Sequence, residues 1–437
     1  MDNHGKRALA KVSAVAGSLA IIATVGSMAP VGASAATSAQ VTNIVFWAGH
    51  NSGQLHKALL AEVAQFNAAH PTIHVKWVGQ HATSQGIAAF LAHKAPNVAM
   101  IATNAAQTFI NSGAILNLKP LLDSKDGLTA AQIRADYYPV VWQDMQALGG
   151  KAQYLMPLEK KSNVVLYYNE DLFKRAHIAS APRTWAQLVA DADKITALGK
   201  NYHGIVWTPS VKQFFSMVMD FSGKVWRDPS HKVFALNNPG ARQALTMLRN
   251  MVQRKVLVPT KGYDYQLDFG TGKVGMLIDA SAGYTYDLGS VGGKFPMLAA
   301  PAPAGLLGRA YNYINGASLT MFNTGTAAQK AASWTFVKWM SSPSTNSYWN
   351  EHTNYLPLGP AGMNMMKGFY KANPAYAASF SDPSYWVIKP KYATFSAAKT
   401  AMMDDFEKAL LGQESVTQAL VNMTALGNKY MSGQQRM

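Results

Sequence analysis

Residues 163–185 read NVVLYYNEDLFKRAHIASAPRTW. Val164, Val165, Leu166, Tyr167 and Tyr168 form a β-branched and aromatic run, too short for a helix, and predict a strand. Asn169 can cap a helix behind it, with Glu170 and Asp171 near the positive N-terminal end and Lys174 and Arg175 near the C-terminal end. Pro182 ends that unit, and Thr184 can cap a second helix running to Leu198. The stretch is therefore strand, turn, helix, proline turn, helix: an α/β unit.

Working outward toward the N-terminus, Ile44 to Trp47 predicts a first strand. Leu59, Val63 and Phe66 recur at helical spacing within Gln54 to Ala69. Ile73, Val75 and Trp77 alternate as a second strand, Gln85 to His93 is helical, and Val98 to Ala102 predicts a third strand. Ala106 to Ser112 follows as a helix closed by Gly113. This βαβαβα order predicts a parallel sheet with helices on both faces. Gly149-Gly150 marks a turn. Gln153 to Met156 leads through Pro157 and Glu159-Lys160-Lys161-Ser162 into the strand at 164, and a first passage between two lobes falls there.

Toward the C-terminus, Gly204 to Trp207 and Val274 to Ile278 predict strands, and the segments around Phe214 to Phe221 and Pro239 to Arg254 predict helices. Residues 289–308 are rich in Gly, Ala and Pro and read as a surface loop approaching a second passage. Ile314 to Phe322 and the helix Ala327 to Met340 follow, Pro357 and Pro360 mark a third passage, and Ala397 to Leu411 and Ser415 to Met431 are helical. Three passages between two lobes suit a hinged clamp, with the ligand cleft at the carboxyl ends of the parallel strands.

The residues that carry these elements also resemble a family. LYYNEDLFKRA followed by PRTWAQL, FWAGHNSGQLHKALLAEVAQFNAAHP, GIAAFLAHKAPNVAMI, and INGASLTMF with AASWTFVKWMSSP and YLPLG are similar to the extracellular solute-binding proteins that feed ABC importers. The likeness runs from about Ile44 to about Leu426. It is nearest to the branch that takes up glycerol 3-phosphate, related phosphodiesters and sugars. It implies an α/β periplasmic-binding-protein fold with two lobes, a hinge and a central cleft. The expected bounds are a secretory leader over 1–35, one lobe from 36–158 and 313–355, and a second from 159–312 and 356–437. The implied partners are a small polar solute and a membrane permease, with the receptor a monomer.

Composition narrows the class. Lys6, Arg7 and Lys11 followed by the apolar Val12 to Met28, then Pro30 and Ala33-Ser34-Ala35, match a secretory leader with an A-x-A cleavage site. A retained anchor is the alternative, because the apolar run nearly reaches spanning length. The chain has no cysteine, which excludes disulfides and lipid attachment through an N-terminal Cys. These features point to a periplasmic or secreted protein. The formal net charge is +16, and removing the leader's three bases and one acid leaves about +14. The bases are scattered, with no run longer than a pair, which argues against nucleic acid. Few carboxylates suit an acidic habitat.

Other chemistry has weaker signals. Gly270-Thr271-Gly272-Lys273-Val274-Gly275 has the letters of a dinucleotide fingerprint, but a strand rather than a helix comes after it. His70 and His74 have metal spacing, but Pro71 lies between them, so no metal is expected. No cofactor is expected either. Asp279-Ala280-Ser281-Ala282-Gly283 resembles a nucleophile elbow without its first glycine. That keeps open a secreted hydrolase acting on phosphodiesters or glycosides, with Ser281 as nucleophile.

A receptor needs aromatic faces and hydrogen-bond donors without a reactive nucleophile. The resemblance implies Tyr355 in NYLPLG as a ligand residue, Gly316 and its neighbour Asn315 as a source of backbone amides, and Ser281 and Ser162 as hydroxyl donors. Lys391 falls where the branch carries a phosphate-holding Arg. Trp207 and Trp47 are candidate stacking faces. Two departures stand out. The branch has a Glu after the third strand, whereas this chain has Ala102-Thr103-Asn104. Its tryptophans beyond the strand ending near Trp207 give way to residues around Pro209 and Lys212. The expected solute is glycerol 3-phosphate or a glycerophosphodiester, with Lys391 and, in addition, Lys160, Lys161 or Lys212 as candidate cations. A neutral sugar or oligosaccharide is the alternative.

Overall fold

The computed structural model describes residues 40–147, 150–222, 224–228 and 230–433. The expected leader lies outside them, as does half of the Gly149-Gly150 turn. The strands, in chain order, are Thr42–Trp47 (β1), Ile73–Val78 (β2), Val98–Ala102 (β3), Met156–Pro157 (β4), Val165–Asn169 (β5), His203–Trp207 (β6), Leu257–Pro259 (β7), Val274–Asp279 (β8), Met297–Pro301 (β9), Asn312–Tyr313 (β10), Ala317–Met321 (β11) and Trp386–Val387 (β12). They build two five-stranded sheets, ordered β2-β1-β3-β11-β4 and β7-β6-β8-β5-β9, and a small β10-β12 ladder.

The sequence around 163–185 folds as expected at each local step. Asn169 accepts from Leu172 N–H at 3.2 Å to cap Glu170–Arg175, and Thr184 accepts from Gln187 N–H at 3.2 Å to cap Trp185–Thr196. The parallel pairing expected of the first three strands is present, but the strand at 165–169 runs against its neighbours. β1 runs parallel to β2 and β3, and β6 runs parallel to β7 and β8. β5, however, is antiparallel to both β8 and β9, and β11 is antiparallel to β3 and β4. The reason is the route of the chain. β5 and β11 each enter their sheet from the other lobe, at the carboxyl ends of the parallel strands, and so run away from the cleft. Val165 consequently pairs with Asp279, and Ala317 pairs with Ala102. A second departure is β9, an edge strand inside the stretch read as a loop, with Ala299 opposite Tyr167.

Each sheet has its own core. Ile44, Phe46, Leu59, Phe66, Leu319 and Phe336 are buried around the first. Leu166, Leu188, Ile205, Phe214, Leu245 and Met276 are buried around the second, and the C-terminal helices Phe395–Ala401, Met403–Leu410 and Val416–Met431 close over it through Phe406, Leu420 and Met423. The passages lie side by side between them. Lys161 and Asn315 exchange both backbone hydrogen bonds at 2.7 and 3.0 Å, and Leu356 N–H donates to Lys160 C=O at 2.6 Å. Gly316 is required there, since a Cβ would sit 2.0 Å from Glu159 O. Among the described residues no helix is long and apolar enough to cross a membrane.

Candidate functional site: a tyrosine-lined cleft between the lobes

A cleft of about 450 Å³ opens where the two sheets face each other, within the size range of small-molecule sites. The first lobe supplies Leu55, at the start of the helix Gly53–Ala69. The passages supply Lys161 and Tyr355. The second lobe supplies Tyr263, Tyr265 and Gln266 around the helix Asp264–Gly270, then Asp279, Gly283 and Tyr286 beyond β8. Lys161 Nζ lies 5.9 Å from the centre of the Tyr355 ring. Across the mouth, Tyr286 of the second lobe approaches Gly53 of the first so closely that a Cβ there would lie 3.2 Å from its hydroxyl. Gly53 also has φ +68°, a conformation that suits glycine.

Asp279 and the lysines dominate the electrostatics. Asp279 Oδ2 accepts from Tyr265 O–H at 2.8 Å and Oδ1 from Ala280 N–H at 2.6 Å. Behind it, Asp287 is fully buried; Oδ1 accepts from Gln266 Nε2 at 3.0 Å, and among the described residues Oδ2 has no partner. Burial raises both carboxyls, Asp287 to about 9 with Asp279 adding to it. Asp287, with no cation against it, keeps the proton. Asp279 is raised first by its own burial, and the Ala280 amide, the Tyr265 hydroxyl, Lys161 and Lys212 work against that rise. Lys212 is pushed down to about 8, first by burial and then by Lys399 and Lys161. Lys389 falls well below the usual lysine range, first by burial and then by Lys212, Lys399 and Lys160. Lys212, Lys389 and Lys399 thus repel one another near Lys161, whose charged surroundings also include Asp279 and Glu159.

The residues singled out from sequence fall in different places. Tyr355 is buried and lines the cleft. Gly316 and Asn315 belong to the paired passages, and the Asn315 side chain accepts from Lys389 Nζ. Ser162 is committed to the passages: its hydroxyl donates to Val164 C=O at 3.2 Å and accepts from Asn312 Nδ2. Ser281 is fully buried just under the cleft, and among the described residues its Oγ has no hydrogen-bond partner and no base in place to activate it. Lys160 is buried with Asp144 at 2.6 Å and Thr103 Oγ1 at 3.1 Å, which removes it from the candidate cations. Lys391 lies in a separate cavity with Lys232 and Lys389, its Nζ donating to the Gln143 and Gln146 carbonyls at 2.6 Å each. Trp207 is a core residue, its Nε1–H donating to Gln213 Oε1 at 2.6 Å. Trp47 packs in the first lobe against the cluster of Phe109 and Phe322. Sequence reasoning missed Asp279, Tyr263, Tyr265 and Tyr286. The tyrosine pairs Tyr263/Tyr265 and Tyr284/Tyr286, each beside a glycine and an aspartate, were the available signal.

A hydrogen-bond network ties Tyr355's surroundings to the first lobe. His50 Nε2 and Glu159 Oε2 are 3.1 Å apart, and Ala317 N–H donates to Glu159 Oε1 at 3.1 Å. Burial works to raise the Glu159 carboxyl, but His50, the Ala317 amide and Lys161 outweigh it and hold it below the usual range.

Residues 52–347 match the family described as bacterial extracellular solute-binding protein. The chain is 24% identical over 424 residues to the sn-glycerol-3-phosphate-binding periplasmic protein UgpB of Escherichia coli (strain K12), covering 90% of this chain and 93% of that protein. Among solved structures it is similar to the GacH receptor of Streptomyces glaucescens, described in complex with acarbose, at a TM-score of 0.76 and 20% identity over 90% of this chain and all of that one. It is also similar to UgpB from Mycobacterium tuberculosis in complex with glycerophosphocholine, at a TM-score of 0.75 and 18% identity over 90% of this chain and 99% of that one. The chain belongs to the bacterial extracellular solute-binding proteins, with their two-lobed fold, and is a solute-binding receptor of an ABC importer.

Proposed function

We propose that this receptor captures glycerol 3-phosphate or a glycerophosphodiester by closing its lobes, and delivers it unchanged to the permease. The observation that carries this reading is Lys161 on the cleft wall, with Lys212 close enough to feel its charge and Lys389 and Lys399 close to Lys212. Burial and mutual repulsion make Lys212 and Lys389 costly to charge, and a phosphate oxyanion would relieve that cost. The relatives named for glycerol 3-phosphate and for a glycerophosphocholine complex support the same choice. In this reading the lobes are 36–158 with 313–355 and 159–312 with 356–437, and the paired passages are their pivot. The open form binds, and the closed form gains because both lobes touch the solute. Export through a cleaved leader, work in the periplasm or medium as a monomer, and the lack of any catalytic step belong to the same reading.

A neutral sugar is the second reading, favoured by four tyrosines and one carboxylate around the cleft, a mixture suited to stacking and hydroxyl recognition. A thermal-shift panel separates the two. A ligand at about one hundred times its Kd stabilises by about 2.7 kcal/mol. For a folded unit of roughly 400 residues that is about 3 °C. The proposal expects the shift with glycerol 3-phosphate and not with maltose. A shift with maltose alone would overturn it.

A further inference from the structure

We propose that Asp279 is the residue that reads the solute's hydroxyl groups, taking from the second lobe the part that a carboxylate after the third strand would play from the first. The proposal rests on the receptor reading above and adds to it a specificity determinant. Among the described residues lining the cleft, Asp279 is the sole carboxylate. At the corresponding place after β3 the chain offers Ala102-Thr103-Asn104, and Thr103 is committed to Lys160, Ser318 and Gly316.

The side chain is preset for the task. It stands at the carboxyl end of β8, opposite Val165, where the strand opens into the cleft. Tyr265 O–H and Ala280 N–H each take one lone pair, one on each oxygen, and fix the plane of the carboxylate. An ionised carboxylate has about four acceptor positions, so one on each oxygen remains for the solute. Two acceptors on one rigid plane suit two hydroxyls on adjacent carbons. Gly283 keeps that side clear, because a Cβ there would lie 1.9 Å from Asp279 Oδ2. Burial raises the Asp279 carboxyl, and Lys161 and Lys212 oppose that rise; Lys161, the phosphate-attracting group, lines the same cleft.

The test is calorimetric titration of the full chain with three probes: glycerol 3-phosphate, propyl phosphate (the same phosphate without hydroxyls), and maltose. Wild type is compared with Asp279→Asn, whose amide oxygen can still accept from Tyr265, and with Tyr265→Phe, which keeps the carboxylate and loses one anchor. Hydrogen bonds to a charged acceptor contribute enough that wild type should prefer glycerol 3-phosphate over propyl phosphate by about tenfold or more. Asp279→Asn should reduce that preference to within about threefold, with propyl phosphate affinity unchanged or higher. Tyr265→Phe should fall between. If Asp279→Asn keeps the full preference, or weakens both phosphates equally, the assignment is wrong. If wild type binds maltose and neither phosphate, the phosphate reading falls by itself. Asp279 then stands or falls on whether Asn costs the same tenfold against maltose. Binding of none of the three overturns both.

Discussion

Replacing Lys160 by Met tests how the hinge is held together. Lys160 is fully buried on the first passage, with Nζ 2.6 Å from Asp144 Oδ2 and 3.1 Å from Thr103 Oγ1. Its backbone carbonyl accepts from Leu356 on the third passage. Met keeps the volume and removes the charge, leaving Asp144 buried and unpaired. Removing one partner of a buried pair costs about 3–5 kcal/mol. With an unfolding entropy of about 2.1 cal/mol/K per residue over roughly 400 residues, that lowers Tm by about 4–6 °C. Replacing both partners, Lys160→Met with Asp144→Leu, should recover most of the loss, since an apolar pair of similar shape is often as stable. Urea unfolding monitored by tryptophan fluorescence, beside calorimetry, measures both variants. A single variant within about 1 kcal/mol of wild type would refute the buried-pair reasoning. Because the pair lies away from the cleft lining, solute affinity of the refolded variant should stay within a few-fold.

Three further outcomes are expected. Gly316→Ala places a methyl 2.0 Å from Glu159 O, so the passages must part; a loss of about 1–3 kcal/mol and weaker solute binding should appear together, and an unchanged Tm would count against the side-by-side hinge. Asp220 and Asp287 are raised by burial to about 8 and about 9, above their unfolded values. Their stabilising protonation is complete below about pH 4 and is lost as pH rises toward 8–9. The urea midpoint should therefore be higher at pH 5 than at pH 8, and a midpoint that rises over that interval would contradict the assignment; Lys212, lowered to about 8, acts in the opposite sense only above that. Lys212→Met should weaken glycerol 3-phosphate binding about tenfold and reduce its salt dependence, while a variant that binds as wild type at low salt removes Lys212 from the anion site.

Much of the fold was legible because its signals are local. Leu59, Val63 and Phe66 report a helix by spacing, Ile73, Val75 and Trp77 a strand by alternation, and Asn169 and Thr184 their caps by side-chain chemistry. The direction of β5 was not legible. Val164 to Tyr168 has the same composition whichever way it runs, and its antiparallel pairing follows from where the chain crosses between lobes. β9 was hidden for a related reason: Met297–Pro301 is an edge strand in a Gly-, Ala- and Pro-rich segment, and Tyr167 on the neighbouring strand gives it a partner. At the site, Tyr355 could be named because it sits in a recognisable motif beside a passage. Lys391 was read as a ligand cation, but the two carbonyls at the end of the helix Pro139–Met145 engage its donors. Asp279 was seen only as the first letter of a possible nucleophile elbow. The role proposed for it rests on Tyr265, Gly283 and Lys161, which meet it only in the folded chain.

Titration of the purified receptor with glycerol 3-phosphate, with the ligand recovered afterwards and examined by phosphorus NMR, tests the account most directly. One equivalent should bind, its affinity should fall as salt is raised, and it should come off chemically intact. No heat of binding where maltose binds readily, or recovery of inorganic phosphate, would contradict a cleft that uses Lys161 and its lysine neighbours to capture an anionic polyol and release it unaltered.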